Sequence, residues 1–358
     1  MITVLGWDIG GANTKVAFIK TENGKVTEFR TALEYFPFWK RDTQQLCTMI
    51  SKLKAELAGS NRLDCVAVTI TAELSDAYRT KRDGVNHILD CAAQVFVGTQ
   101  IMVLDTDAVL RSVDSAKAEP LKVAGANWAA TGWMASQFIS DCVVVDVGST
   151  STSIIPVVDG KVAAAGKTDL DKLSNGELVY TGSLRTNVAA TINSVPLRGG
   201  VVRVSSELFA QSGDVHLVLG NISAADYTAE TADGHGKTRS DALARLARVV
   251  CADTDMLTEQ EIVQIASNVY SKQVEQIAEG INQVYSRLKA NAKTVVPVVV
   301  TGLGKDFLAR KAAEKTGIKQ ILNMVELMHN AVSMASPAVG VAFMAATKLE
   351  GRSLKWTQ

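Results

Sequence analysis

Largely apolar runs at Ile2–Leu5 and Val16–Ile19 flank Asp8-Ile9-Gly10-Gly11-Ala12-Asn13-Thr14-Lys15. The pattern predicts two strands joined by a glycine turn. Asn23-Gly24 signals a tight hairpin into a third strand from Lys25-Val26. Leu46, Ile50, Leu53 and Leu57 recur at helical spacing and predict a helix over 42–57. A buried strand over 63–70, a helix over 83–96 and a short strand over 101–104 follow, and a small-residue helix opens at 125–130. Further on, the pattern predicts helices over 240–250, from Thr258 to about Leu288, over 305–315 and from Ser336-Pro337, with a buried strand over 295–300. Thr258 with Glu261 forms the signature of a capping box.

The opening pattern returns in the middle of the chain. In Cys142 to Ile155, Asp146 falls on Asp8, Gly148 on Gly10, Thr152 on Thr14 and Ile154 on Val16. The tight turn recurs as well, with Asp159-Gly160-Lys161-Val162 answering Asn23-Gly24-Lys25-Val26. Acid, glycine, threonine, apolar exit and turn in one order indicate an internal duplication. Strands alternating with helices make the fold class α/β. The stretch 169–238 is less regular and rich in glycine and polar residues, the character of functional loops.

Composition narrows the function classes. The chain has 358 residues, enough for two domains, and 47% of them are apolar. Lys+Arg and Asp+Glu are both 37, so the net charge is zero, which excludes a nucleic-acid partner held by bulk electrostatics. No uninterrupted apolar run approaches a membrane span, and the N-terminus lacks a secretory signal pattern, so a cytoplasmic location is expected. The five cysteines, Cys47, Cys65, Cys91, Cys142 and Cys251, are scattered and read as reduced core residues. The four histidines show no metal-ligand spacing.

Glycine turns present several N–H groups to one point, which suits phosphate, and a neighbouring carboxylate usually acts there through Mg²⁺. Gly10, Gly11, Asn13 and Gly148 are the backbone candidates, Thr14, Ser149 and Thr150 the hydroxyl donors. Lys15 either adds a point charge or begins an edge strand and faces solvent. Asp8 and Asp146 are the candidate Mg²⁺ ligands, the alternative being that each caps its own turn. Glu73 directly follows a buried strand, where α/β sheets place site residues, and is the candidate base; a helix-cap or surface role competes. Trp128, Tyr180 and Arg185 are candidates for a substrate pocket, against packing or a surface ion pair. Gly236-Lys237-Thr238 lacks the earlier glycine and buried strand of a P-loop. The loop carrying His235 and Lys237 either closes over an anionic substrate or is a solvated surface loop.

Two Asp-x-Gly hairpins followed by Thr301-Gly302-Leu303-Gly304 resemble the actin/sugar-kinase/Hsp70 superfamily. That resemblance implies a duplicated, ribonuclease H-like, actin-like ATPase fold with a central cleft, its two hairpins gripping phosphates from opposite sides and Gly302 and Gly304 on the nucleoside-side loop. It implies one subdomain from 1–136 with 331–358, and a second over 137–330 carrying the inserted substrate loops. Residues 71–78, 126–130, 145–150, 178–182 and 231–238 look like the hydantoinase/oxoprolinase-type branch, from Trp7 to about Phe343. One departure is Gly148-Ser149-Thr150-Ser151, where a more threonine-rich run is expected. The branch implies a step of methanofuran synthesis in tetrahydromethanopterin-linked one-carbon metabolism. There an aminomethylfuran-methyl diphosphate condenses with the phenol of γ-glutamyltyramine and releases diphosphate, so the partners are small molecules. A homo-oligomer is left open. The fold alone favours an ATP-dependent small-molecule kinase or an ATP-driven amidohydrolase; an actin- or Hsp70-like nucleotide-switched assembly protein is the alternative of another class.

Overall fold

The computed structural model describes residues 1–289, 296–328 and 337–356. The chain forms two compact units, the first comprising 1–144, 155–172 and 324–358 and the second 145–154 and 173–323. The expected division at 136/137 differs, because residues 137–144 and 155–172 pack with the first unit. The other expected boundary, 330/331, lies outside the described residues.

In the first unit, β1 (Ile2–Gly10) and β2 (Asn13–Glu22) form the opening hairpin, and β3 (Lys25–Tyr35) continues it antiparallel. Next, β4 (Cys65–Thr71) pairs parallel with β1 and β5 (Gln100–Leu104) parallel with β4, while β6 (Leu110–Ser112) closes the edge. Parallel pairing requires crossovers, and the helix Gln45–Ala58 supplies the first and Lys81–Val95 the second. Leu46, Ile50, Leu53, Val85 and Ile88 on these helices pack on Trp7, Val68, Val103 and Phe38. The helix Pro337–Glu350, buried from Pro337 to Ala346, packs on β1 and β4.

The second sheet repeats the plan. Its strands are β7 (Cys142–Val147), β8 (Thr152–Val158), β9 (Lys161–Val162) and β10 (Leu178–Val179), joined by β13 (Val298–Thr301) and β14 (Ile321–Asn323). The separate hairpin β11 (Ser194–Leu197) and β12 (Gly200–Arg203) lies between them in sequence. The orders β2-β1-β4-β5 and β8-β7-β13-β14 are equivalent, so the duplication read in the sequence is a duplication of the sheet. Short β15 (Lys355–Trp356) adds in parallel to β3. Both tight turns take positive φ at both central residues, 52° and 77° at Asn23-Gly24 and 50° and 70° at Asp159-Gly160, as the right-handed strand twist demands. The expected strand over 295–300 begins at Val298, and the expected helix over 305–315 opens with a wider turn over 305–309.

The cysteine expectation needs correction. Cys47 and Cys91 form a disulfide with a Cα–Cα distance of 5.0 Å. The crossover helices carrying them lie side by side, and sequence spacing cannot report which helix faces meet. Cys65 and Cys142 are free and buried as expected, whereas Cys251 is exposed. Among the described residues no helix is long and apolar enough to cross a membrane.

Candidate active site

The first hairpin holds a buried acid at its tip. Asp8, 2% exposed, is the register partner of Lys15, and Lys15 Nζ donates to its Oδ2 at 3.1 Å. Lys15 is therefore drawn to the acid instead of pointing wholly to solvent. The turn is fixed because Phe38 and Phe36 donate their amides to the Gly11 and Ala12 carbonyls. Asp8 Oδ1, Asn13 Oδ1 and Thr14 Oγ1 are buried without a hydrogen-bond partner among the described residues. Buried polar atoms are normally paired, so these orphans mark a place where polar ligand atoms fit. A divalent cation that shares one carboxylate with substrate phosphates and water would satisfy Asp8 Oδ1, the usual style of Mg²⁺. No group of three or more acidic, histidine or cysteine side chains forms a metal cage among the described residues.

The second hairpin is braced differently. Gly148 N–H donates to the Ser151 carbonyl at 3.0 Å, closing the turn. The following segment clamps it from outside: Ser183 N–H donates to the Gly148 carbonyl, and the Leu184 and Arg185 N–H groups both donate to the Ser149 carbonyl, each at 2.9 Å. Arg185 Nη1 donates to Thr150 Oγ1 at 3.1 Å. Arg185 thus belongs to the hairpin, a position its isolated sequence context did not reveal. Thr152 is fully buried and donates to the Thr181 carbonyl at 2.8 Å, whereas its counterpart Thr14 is buried with no such bond. Ser149 and Thr150 on this turn are both half-buried, so their hydroxyls are partly accessible.

Gly302 and Gly304 close the same half. Gly302 takes φ +85°, and a Cβ there would stand 2.5 Å from Asp146 Oδ1. Gly304 N–H donates to the Val147 carbonyl at 3.0 Å. This loop follows β13 as Thr71-Ala72-Glu73 follows β4 in the equivalent strand of the first unit. The duplicated position is a glycine loop in one half and an acid in the other.

That acid, Glu73, is 2% exposed, and its Oε2 has no partner among the described residues. Ala72 N–H donates to the Ile9 carbonyl at 3.0 Å, which sets Glu73 at the same end of the sheet as the tip of β1. Lys81 Nζ lies 3.5 Å from Glu73 Oε1 and donates to Asp169 Oδ2 at 2.7 Å. Burial pushes the Glu73 carboxyl up to about 7, with the Lys81 charge opposing that shift. Burial works against the Lys81 ammonium, yet the Asp169 hydrogen bond and charge outweigh it and hold Lys81 above the usual lysine range. Lys81 and Asp169 were missed in the sequence because 88 residues separate them. The only signal was the run of charges after Glu73.

Other candidates sit elsewhere. Trp128 is 2% exposed with Lys172 Nζ 4.1 Å above its ring, so it packs the interior of the first unit. Tyr180 is 61% exposed beside the second hairpin. The loop of His235 and Lys237 is anchored by its own hydrogen bonds. Lys237 Nζ donates to the Tyr227 carbonyl at 2.5 Å, Thr231 Oγ1 donates to the His235 carbonyl, and Thr238 with Asp241 caps the next helix, Arg239–Arg248. The His235 side chain is exposed.

Comparisons with known proteins agree with this architecture. The chain is 38% identical, over 98% of its own length and 99% of the relative's, to a (4-{4-[2-(γ-L-glutamylamino)ethyl]phenoxymethyl}furan-2-yl)methanamine synthase of Methanocaldococcus jannaschii. It is 36% identical to the synthase of the same name from Methanococcus vannielii, over 59% of this chain and 94% of that protein. A nucleotide-free structure of acetone carboxylase, 10% identical, matches with a TM-score of 0.55 over 96% of this chain and 70% of that one, which bears out the duplicated actin-like fold. The hydantoinase/oxoprolinase family model matches residues 64–348. With that match and a full-length relative, the chain belongs to the hydantoinase/oxoprolinase family.

Proposed function

We propose that the protein is a transferase that forms the aryl ether of (4-{4-[2-(γ-L-glutamylamino)ethyl]phenoxymethyl}furan-2-yl)methanamine from an aminomethylfuran-methyl diphosphate and the phenol of γ-glutamyltyramine. The observation that carries this reading is the 38% identity, over nearly the whole of both chains, to a synthase named for that product. In methanofuran synthesis this is the step that joins the furan to the tyramine.

In this reaction the bond from the exocyclic furan carbon to the diphosphate oxygen breaks, and its electron pair leaves with diphosphate. The phenol oxygen forms the new bond to that carbon and loses its proton. A phenol has a reference pKa near ~10, so a base near neutrality at its oxygen assists the attack. Glu73, a carboxyl held near 7 by burial, suits that task as the group that accepts the proton. The turn N–H groups of Gly10 and Gly11 suit phosphate oxygens, and so, taken by themselves, do the hydroxyls of Ser149 and Thr150. Lys15 adds a positive charge beside Asp8. Asp8, with its Oδ1 buried and unpartnered among the described residues, is a carboxylate that would hold Mg²⁺, which when bound supplies charge neutralisation to departing diphosphate; Asp146 at the matching place of the second hairpin is the other candidate ligand.

The test is direct. Purified protein with Mg²⁺, the furan diphosphate and γ-glutamyltyramine is expected to release diphosphate and form one ether product per diphosphate. Absence of both products from folded protein overturns the reading.

A further inference from the structure

Three stretches remote in sequence meet at Glu73. The strand β4 ends just before it, the helix Lys81–Val95 begins beside it, and the segment 155–172 brings Asp169. Thr80 caps that helix by accepting the Asp83 N–H, which fixes Lys81 at its first position. The positive end of a helix disfavours a cation, so helix stability does not explain a lysine there. Asp169 does, accepting from Lys81 Nζ at 2.7 Å. The same ammonium stands 3.5 Å from Glu73 Oε1, leaving Glu73 Oε2 unpartnered.

We propose that Lys81, held in place by Asp169, is a positioning residue that ties one oxygen of Glu73 and leaves the other directed at the phenol. This rests on the reading of Glu73 as the base. An untethered buried carboxylate would rotate and would face a larger desolvation cost on ionising. With Lys81 on one oxygen, the remaining oxygen has a fixed direction and the charged form is eased. Asp169 tempers the ammonium, because two anions share one cation and neither is fully neutralised. The helix of Lys81 also carries Arg82, Asp83 and Asp90, and the segment of Asp169 also carries Lys167, Asp171 and Lys172, but the charges that act on Glu73 are those of Lys81 and Asp169. Tyr78 and His87 are hydrogen-bonded to each other at 2.8 Å. They engage each other and not Glu73, whose neighbour on the helix is Gly84.

The two charges act on Glu73 with opposite sign, and this distinguishes the arrangement from simple packing. Removing Lys81 should raise the Glu73 midpoint; removing the charge of Asp169 should lower it. The experiment titrates the full-length protein labelled with carbon-13 at glutamate carboxyls, without substrate, in Lys81→Met, Lys81→Arg and Asp169→Asn variants. The resonance missing in Glu73→Gln identifies Glu73. Lys81→Met should move the midpoint up by about one unit or more, Asp169→Asn should move it down, and Lys81→Arg should stay near wild type. The acid limb of kcat/KM for ether formation should move in the same directions, with kcat affected more than KM. An unmoved midpoint in Lys81→Met, or in Asp169→Asn if the former fails to fold, overturns the proposal. Full turnover in Glu73→Gln overturns the base reading instead, so the two failures are told apart.

Discussion

Lys15 Nζ lies 3.1 Å from Asp8 Oδ2, and the two residues are cross-strand register partners in the β1–β2 hairpin. The pair leaves Asp8 Oδ1 buried and unpartnered among the described residues. One oxygen is thus committed to the protein and the other is held open in an ordered, desolvated place. In the second copy of the hairpin, Thr150 stands against Arg185. The same backbone motif carries different polar chemistry in each half.

Replacing Asp8 by Asn removes the charge and keeps the shape. Turnover should fall by at least about 100-fold, as for loss of one preorganised electrostatic contact at a reacting group. Because Lys15 is about one-third exposed, water covers its charge, and stability should change by no more than about 1 kcal/mol. Diphosphate release and a thermal melt on the same sample check both. Unchanged turnover refutes the role of Asp8.

The Glu73 carboxyl, pushed up to about 7, gives two signed pH effects. Activity needs the ionised form, so kcat/KM should rise with pH through a midpoint near 7. Stability runs the other way. The folded pKa lies above the ordinary value of 4.5, so this carboxyl contributes fully below that pH and the contribution is lost as pH rises through 7. The Glu73→Gln variant should therefore match wild type near pH 4 and exceed it by on the order of 3 kcal/mol well above pH 7. Urea unfolding across pH checks the sign, and a flat difference contradicts the raised pKa.

The two hairpins were legible because acid, glycine and apolar exit are contiguous in the chain. The Thr258–Glu261 capping box was legible for the same reason and is present, with both hydrogen bonds made. What could not be read depends on where distant elements meet. Lys81 and Asp169 converge on Glu73 only because segment 155–172 packs with the first unit. The Cys47–Cys91 bond depends on two helix faces whose rotation no spacing states. The anchoring of Lys237 could not be read either, because its acceptor, the Tyr227 carbonyl, is ten residues away in a stretch with no regular pattern. Strands of two to four residues such as β9, β10 and β15 exist through their pairing partners and carry too little pattern of their own.

Gly302 is predicted to resist replacement. It takes φ +85°, and an added Cβ would press on Asp146 Oδ1 and the Val147 carbonyl. Gly302→Ala should cost at least about 2 kcal/mol and reduce turnover by displacing Asp146. Gly160 is the internal control, with φ +70° and open space around it. Gly160→Ala should cost only about 1 kcal/mol and leave turnover unchanged. Equal costs at the two positions would show that backbone strain alone, and not crowding, fixes Gly302.

Arg245 and Asp214 are both fully buried, with Arg245 Nε donating to Asp214 Oδ1 at 2.8 Å. Burial raises the Asp214 carboxyl, with Arg245 opposing that shift. Removing the cation strands the anion, so Arg245→Met should destabilise by about 3–5 kcal/mol. Adding Asp214→Asn to Arg245→Met should recover part of that loss, since no buried charge then lacks its partner. A double-mutant cycle by urea unfolding measures this, and strict additivity of the two changes would contradict a coupled pair.

The disulfide makes a prediction that thiol counting can check. Cys65, Cys142 and Cys251 are free, so unfolded, unreduced protein should titrate three thiols, and reduced protein all five. The bond closes a loop across a sequence separation of 44. In the chain-entropy model a closure of that length restricts the unfolded chain by about 4 kcal/mol. Cys47→Ser with Cys91→Ser should therefore lower stability by up to that amount, read as a lower urea midpoint. The effect should be absent when both proteins are compared under strong reductant, apart from the small packing difference between thiol and hydroxyl. Five titratable thiols before reduction would mean that the two cysteines are merely neighbours, and the stability difference should then vanish without reductant as well.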